Sequence, residues 1–146
     1  MGKQRFTLRI DLATPFGRRG VRSARKAVRA VAEEWGFSEE AIREIELCFS
    51  EALQNAVDHG TGTAAVVHAE SEFSEDGLRI VIEDPGAGQG NCERLKDVFE
   101  RAEDAPPGAE EERGRGIYLI RSLMDHVSVH CMEGGGARIT LFKKRR

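Results

Sequence analysis

The sequence predicts an α+β fold, a two-layer α/β sandwich in which helices cover one face of a mostly antiparallel sheet. Three observations predict it. Several stretches alternate apolar and polar residues with the two-residue period of a half-buried strand, and others repeat apolar residues every three to four positions, as one-sided helices do. Their order along the chain is β-α-α-β-β-loop-α-β-β, which suits a largely antiparallel sheet better than alternating parallel units.

The first strand is read from Phe6, Leu8, Ile10 and Leu12, which alternate with Thr7, Arg9 and Asp11 before Thr14, Pro15 and Phe16 break the pattern. From Val21 to Trp35 the period becomes helical, through Val21, Ala24, Val28, Val31 and Trp35, and Gly36 ends it. Ser38, followed by Glu39 and Glu40, starts a second helix as an N-cap with first-turn acids. This helix runs to about His59. Ile42, Ile45, Phe49, Ala52, Leu53 and Ala56 form its apolar stripe, and Glu44, Glu51, Asn55 and Asp58 lie on another side. After Gly60, Thr61 and Gly62 come two strands, Ala65 to Phe73 and Leu78 to Glu83, joined by a polar turn. Residues 85–113 read as a long glycine-rich and acidic loop holding a short amphipathic helix over Cys92–Ala102, and a loop of that length in a small domain is functional or disordered. A helix is expected over Ile117–Asp125. Two closing strands follow, one carrying Val127, Val129 and Cys131, the other Ile139 and Leu141.

The chain's 146 residues suit one domain, residues 1–146, with a sizeable core. No apolar run approaches the ~18 residues of a membrane span, and Met1 to Arg9 lacks the apolar stretch of a signal peptide, so a cytoplasmic protein is expected. A net charge of −3 gives no general pull toward nucleic acid. Lys143 to Arg146 read as a solvated basic tail. Cys48, Cys92 and Cys131 are odd in number and lack CxxC spacing, which argues against a disulfide framework or a zinc site; Cys48 and Cys131 read as small core residues.

Three segments carry chemistry. In Glu51-Ala-Leu-Gln-Asn55-Ala-Val-Asp-His59-Gly60, positions four apart on a helix let Glu51 and Asn55 address one site. A carboxylate can take a proton from a hydroxyl, and an amide oxygen suits Mg²⁺, which keeps waters and takes other ligands from phosphate. In Ile82-Glu83-Asp84-Pro85-Gly86-Ala87-Gly88, an aspartate leaving a buried strand can accept from an exocyclic amine such as that of adenine, while the glycines allow close backbone approach. Arg113-Gly114-Arg115-Gly116-Ile117 stands directly before a helix, whose free N-terminal amides favour phosphate. Singly, each also reads as an ordinary feature: a solvated helix face, a glycine turn, a hinge. Their fixed order at element boundaries, with the long loop between the second and third, is what gives them weight.

Together they resemble the N, G1 and G2 boxes of the GHKL ATPases, the superfamily with the Bergerat ATP-binding fold, over nearly the whole chain. Within it, Glu-x-x-x-Asn-Ala-Val-x-His-Gly and Gly-Arg-Gly-Ile-Tyr-Leu-Ile-Arg-Ser-Leu-Met-Asp look like the RsbW and SpoIIAB anti-sigma kinases. The resemblance implies an ATP and Mg²⁺ site in which Asn55 helps hold Mg²⁺ and Glu51 is the catalytic base. Asp84 would hold adenine beside Gly86 and Gly88, and Gly114, Arg115 and Gly116 would lie against the phosphates under a lid formed by about 89–113. His59 reads as a local structural or pocket-wall residue. Arg113 and Arg115 read equally as phosphate contacts and as solvated lid charges. The sequence shows no dimerisation and phosphoacceptor helix pair and no transducer domain, and its lid matches no assigned motif.

The resemblance implies an anti-sigma factor that sequesters a sigma factor and phosphorylates a STAS-domain antagonist on Ser or Thr, with no direct nucleic-acid or membrane contact; relatives of this kind often form homodimers. Two alternatives stay open: an ATP-dependent partner-switch module without kinase activity, and a catalytic fragment of a histidine kinase. Arg18, Arg19, Arg22, Arg25, Lys26 and Arg29 make the first helix basic in an acidic chain, which reads as a docking surface for acidic partners or as a solvated face.

Overall fold

The computed structural model describes residues 4–13, 15, 17–59, 66–86, 91–101, 112–133 and 135–145. The order of elements is β1 (Arg5–Ala13), α1 (Gly17–Glu34), α2 (Glu39–His59), β2 (Val66–Ser74), β3 (Gly77–Asp84), α3 (Asn91–Arg101), α4 (Glu112–Leu123), β4 (His126–Cys131) and β5 (Ala137–Lys144). The strands form one sheet in the order β1-β2-β3-β5-β4, every neighbouring pair antiparallel. The expected α+β sandwich is therefore observed.

Alternation decides which face of the sheet is covered. Val67, Ala69 and Phe73 on β2, Leu78, Ile80 and Ile82 on β3, and Ile139 and Leu141 on β5 all point to one side and are buried, beneath α1, α2 and α4. The other face carries polar residues. One register row crosses the whole sheet through Asp11, His68, Glu83, Arg138 and His130. Within it His68 Nδ1 lies 2.6 Å from Asp11, and Arg138 donates to Glu83 at 3.1 Å. Such cross-strand pairs let a bare sheet face meet water without an apolar patch.

The two long helices end where local chemistry ends them. Gly36 adopts φ +79°, and the amides of Gly36 and Phe37 return to the carbonyls of Glu33 and Ala32, a glycine-terminated helix C-terminus. Ser38 caps α2, its Oγ accepting from the Ala41 amide at 3.1 Å. The buried stripe of α1 is Val21, Ala24, Val28 and Ala32, with Val31 half-buried beside it. Arg29 of α1 donates to Glu33, Glu39 and Glu46, tying α1 to α2. Its guanidinium pKa is raised by these carboxylates, Glu39 foremost, and Arg29 in turn holds the Glu39 carboxyl below its ordinary value.

Three expectations are corrected. Lys143 is not part of a solvated tail. It lies on the inward face of β5, 4% exposed, where its ammonium donates to Glu44 of α2 and, at 2.7 Å, to the Leu123 carbonyl at the end of α4. The third helical segment of the motif region starts at Glu112, five residues earlier than expected, so Gly114 and Gly116 lie inside α4. Cys92 and Cys131, read as unpaired, form a disulfide between α3 and β4 with Cα atoms 5.6 Å apart, while Cys48 is a buried free thiol. Tertiary packing, not spacing along the chain, brings the two half-cystines together.

Two measurements check these contacts. Glu44→Ala leaves the Lys143 ammonium buried with one carbonyl partner, and chemical denaturation should show a loss of about 3 kcal/mol; Glu44→Leu combined with Lys143→Met should recover most of it. Glu39, depressed by Arg29, stabilises the fold above the ordinary carboxyl value of 4.5, and this contribution disappears as pH falls through the lower folded-state value. The difference in urea midpoint between wild type and Glu39→Gln should therefore shrink toward zero between pH 7 and pH 3.

Candidate functional site

α2 presents its apolar stripe to the sheet and packs along α4 as well as β3. Glu51 and Asn55 stand one turn apart on it, both half-buried. Asp58, expected on the same side, is exposed and accepts from Gln54 at 2.9 Å, so it faces solvent. Glu44 is used by Lys143. Of the four polar residues read as one stripe, Glu51 and Asn55 remain for a site.

The α4 side meets them at one glycine. A Cβ placed on Gly116 would stand 2.5 Å from Glu51 Oε2. α4 therefore approaches the Glu51 carboxylate backbone-first at Gly116, and any side chain there would have to displace the carboxylate. Because α4 starts at Glu112, the amides of residues 112–115 are the ones without intrahelical acceptors. Gly114 and Arg115 thus offer amides to an anion at the helix N-terminus, where the dipole favours it. The Gly116 amide points back into the helix, and what this residue supplies is room for Glu51.

At the opposite end, β3 delivers Asp84 into the protein, 5% exposed. Asp84 Oδ1 accepts from the Gly86 amide at 2.9 Å, closing a tight turn over Pro85. Gly86 has φ +87°, and a Cβ on it would be 2.7 Å from the Gly135 carbonyl carbon. Gly136 in turn packs against the Asp84 carbonyl and Pro85. The turn bearing Asp84 is therefore stacked on the β4–β5 hairpin, backbone on backbone. The sequence reading passed over this brace; the run Gly134-Gly135-Gly136 was its signal, read only as a turn.

The residues fit a magnesium–purine nucleotide. A buried carboxylate fixed in a turn suits an exocyclic amine, free amides at a helix N-terminus suit phosphate, and an amide and a carboxylate lie one helical turn apart. Among the described residues no group of three or more His, Cys, Asp or Glu side chains gathers to hold a metal. Gly88, most of the lid expected over 89–113 outside α3, and the side chains of His59, Arg113 and Arg115 lie outside the described residues.

Residues 15–143 match the family model of the histidine kinase-like ATPase domain. A serine-protein kinase RsbW from Oceanobacillus iheyensis is 31% identical over 133 residues, covering 86% of this chain and 80% of the relative. An anti-sigma F factor from Clostridium novyi is 30% identical over 123 residues, 83% of each chain. Among solved structures, the chain superposes with TM-score 0.65 and 21% identity on a Mycobacterium tuberculosis protein containing RsbU and RsbW domains, covering 96% of this chain and 32% of that one. The SiaB–SiaC complex of Pseudomonas aeruginosa gives TM-score 0.67 at 14% identity, covering 92% and 88%. These last two show the shared fold.

Two glycine substitutions separate the two ends of the site. Gly86→Ala meets both an unfavourable φ and the hairpin backbone and should lower stability by about 1–3 kcal/mol. Gly116→Ala is in a helix, where alanine is favoured by about 1 kcal/mol, and its only clash is with the movable end of Glu51. Thermal denaturation should show little loss for it, while a crystal structure of the variant should show the Glu51 carboxylate displaced.

Proposed function

The chain belongs to the histidine kinase-like ATPase domain family, and on that premise we propose that it is an anti-sigma factor and ATP-dependent serine-protein kinase. Relatives bearing the names serine-protein kinase RsbW and anti-sigma F factor match it over most of both lengths, which supports this assignment. The observation that carries it is the seating of Gly116 against the Glu51 carboxylate: two segments more than sixty residues apart meet where a nucleotide's phosphates and a catalytic carboxylate have to be neighbours.

In this reading Asp84 receives adenine, with Gly86 and Gly88 beside it. Asn55 would be the protein ligand to Mg²⁺, and the amides of Gly114 and Arg115 would face the phosphates while Gly116 makes room for Glu51. Bound MgATP supplies the transferable phosphoryl group and the divalent charge that shields it. Glu51 accepts the proton of the attacking serine or threonine hydroxyl, which raises the oxygen's nucleophilicity as transfer begins. The amides at the start of α4 hold the phosphate charge in place without having to reorganise.

The acceptor is a STAS-domain antagonist and the sequestered partner is a sigma factor, both met in the cytoplasm. The surface offered to them is α1. Arg25 and Arg29 are engaged with acids of α1 and α2, so the docking charge falls to Arg18, Arg19, Arg22 and Lys26, all exposed. These steer acidic partners and make association sensitive to salt.

Incubation with labelled ATP, Mg²⁺ and candidate STAS proteins, beside calorimetry, tests the roles. Asn55→Ala should weaken MgATP binding at least tenfold. Glu51→Ala should bind MgATP nearly as wild type does and lose about 10²–10⁴-fold in transfer. Equal transfer by wild type and Glu51→Ala removes the base assignment, and partner capture without any transfer by the wild type makes the protein a binding module instead.

A further inference from the structure

The Cys92–Cys131 bridge plays no part in phosphoryl transfer, yet both its ends lead to the base end of the site. Cys131 closes β4 and runs through Met132 into the hairpin turn, where the Met132 amide donates to the Gly136 carbonyl at 2.8 Å. That turn is the one pressed against Gly86. Cys92 lies in the first turn of α3, six residues after Gly86. The hairpin is thus tied at two places, by backbone contact with the turn of Asp84 and Gly86 and by a covalent bond to the first turn of α3.

The rest of α3 is anchored independently. Leu95 and Phe99 are buried and Val98 is half-buried, so opening the bridge releases the first turn of α3 without undocking the helix. The third thiol is no competitor: Cys48 is fully buried in α2, and burial pushes it up to about 12, far from the reactive thiolate range.

We propose that Cys92 and Cys131 are a reversible thiol–disulfide site whose oxidised state tightens nucleotide binding by pinning the first turn of α3 to the β4–β5 hairpin that backs Asp84. The proposal rests on the nucleotide reading above. The reductant is a small-molecule thiol of the glutathione class. Its thiolate attacks Cys131 Sγ, the more exposed sulfur, since Cys92 is 2% exposed. The Sγ–Sγ bond breaks, and Cys92 leaves as a thiolate and takes up a proton. A second small thiol then attacks the mixed disulfide and releases Cys131 as a thiol. The protein pair gains two electrons and two protons, and the two small thiols become one disulfide; oxidation by that small disulfide is the reverse. In the reduced protein the hairpin loses its tie to α3, the turn bearing Asp84 samples arrangements that cannot receive the ligand, and apparent affinity falls by the fraction so lost; the bridge removes them in advance.

The test titrates wild type with MgATP by calorimetry after equilibration with glutathione disulfide and after full reduction. Thiol state is counted by alkylation and mass spectrometry, and hydrogen exchange across residues 91–101 is followed without nucleotide. The oxidised protein should bind about fivefold more tightly, and the first turn of α3 should exchange more slowly in it. Cys131→Ala should match reduced wild type in both buffers. Equal affinity in the two verified states overturns the proposal alone, as does a pair that glutathione disulfide fails to oxidise. No binding in either state removes the nucleotide reading, and this proposal with it.

Discussion

The rotational setting of α2 is the constraint on which the remaining structure depends. The helix must bury Ile42, Ile45, Phe49, Ala52, Leu53 and Ala56 against the sheet, and each large side chain among them contributes about 1.5–3 kcal/mol by burial. Residues seven apart on a helix share a face, so once that stripe is fixed, Glu44 and Glu51 are both aimed along the side where α4 and β5 meet α2. The first finds Lys143 and the second finds Gly116. The ion pair and the close approach are consequences of one orientation. Any turn of α2 that released Glu51 from α4 would draw Phe49 and Leu53 out of the core. The site inherits its precision from packing and needs no rigid loop of its own.

The base end is built on a different principle. Asp84 is a polar group that burial would penalise if it were left unpartnered. Its surroundings meet that demand with backbone: the Gly86 amide bonds its carboxylate, and the hairpin turn at Gly135–Gly136 fills the space behind. Glycine is required on both sides because two main chains meet with no side chain between them. A contact of this kind cannot be tuned by changing a rotamer. It is altered only by moving a whole stretch of main chain.

The fold was legible in the sequence because the sheet has one bare face. Each strand alternates cleanly, and α2 shows its apolar stripe over five turns. What escaped depended on contacts between distant residues. Arg113-Gly-Arg-Gly reads as a hinge, since two glycines cost a helix about 1 kcal/mol each, yet α4 includes both, and Gly116 lies where it packs against Glu51. Lys143 continued the inward alternation of Ile139 and Leu141, but its charge and its place before the last arginines outweighed that signal; the partner that makes its burial tolerable, Glu44, is 99 residues away. The pairing of Cys92 with Cys131 is likewise set by where α3 docks. Glu51 and Asn55 in one segment and Asp84 in the next were legible as candidates because those segments stand in order at element boundaries, whereas the approach of Glu51 to Gly116 depends on how α2 and α4 pack.

Charge in α1 illustrates how one composition serves two ends. A count of its cations suggests a uniformly basic helix, but the structure divides them. Arg29 is paired with Glu33, Glu39 and Glu46, and Arg25 lies near Glu46, so these two cations of the six help to fix α1 to α2. The other four, Arg18, Arg19, Arg22 and Lys26, are exposed. Exposed charges of this sort contribute more to encounter rate and discrimination than to affinity, whereas the internal cluster sets the spacing of two helices. The exposed cations of α1 and the pair Glu51 and Asn55 of α2 thus stand on two helices packed together, joined through Arg29 by Glu39 and Glu46.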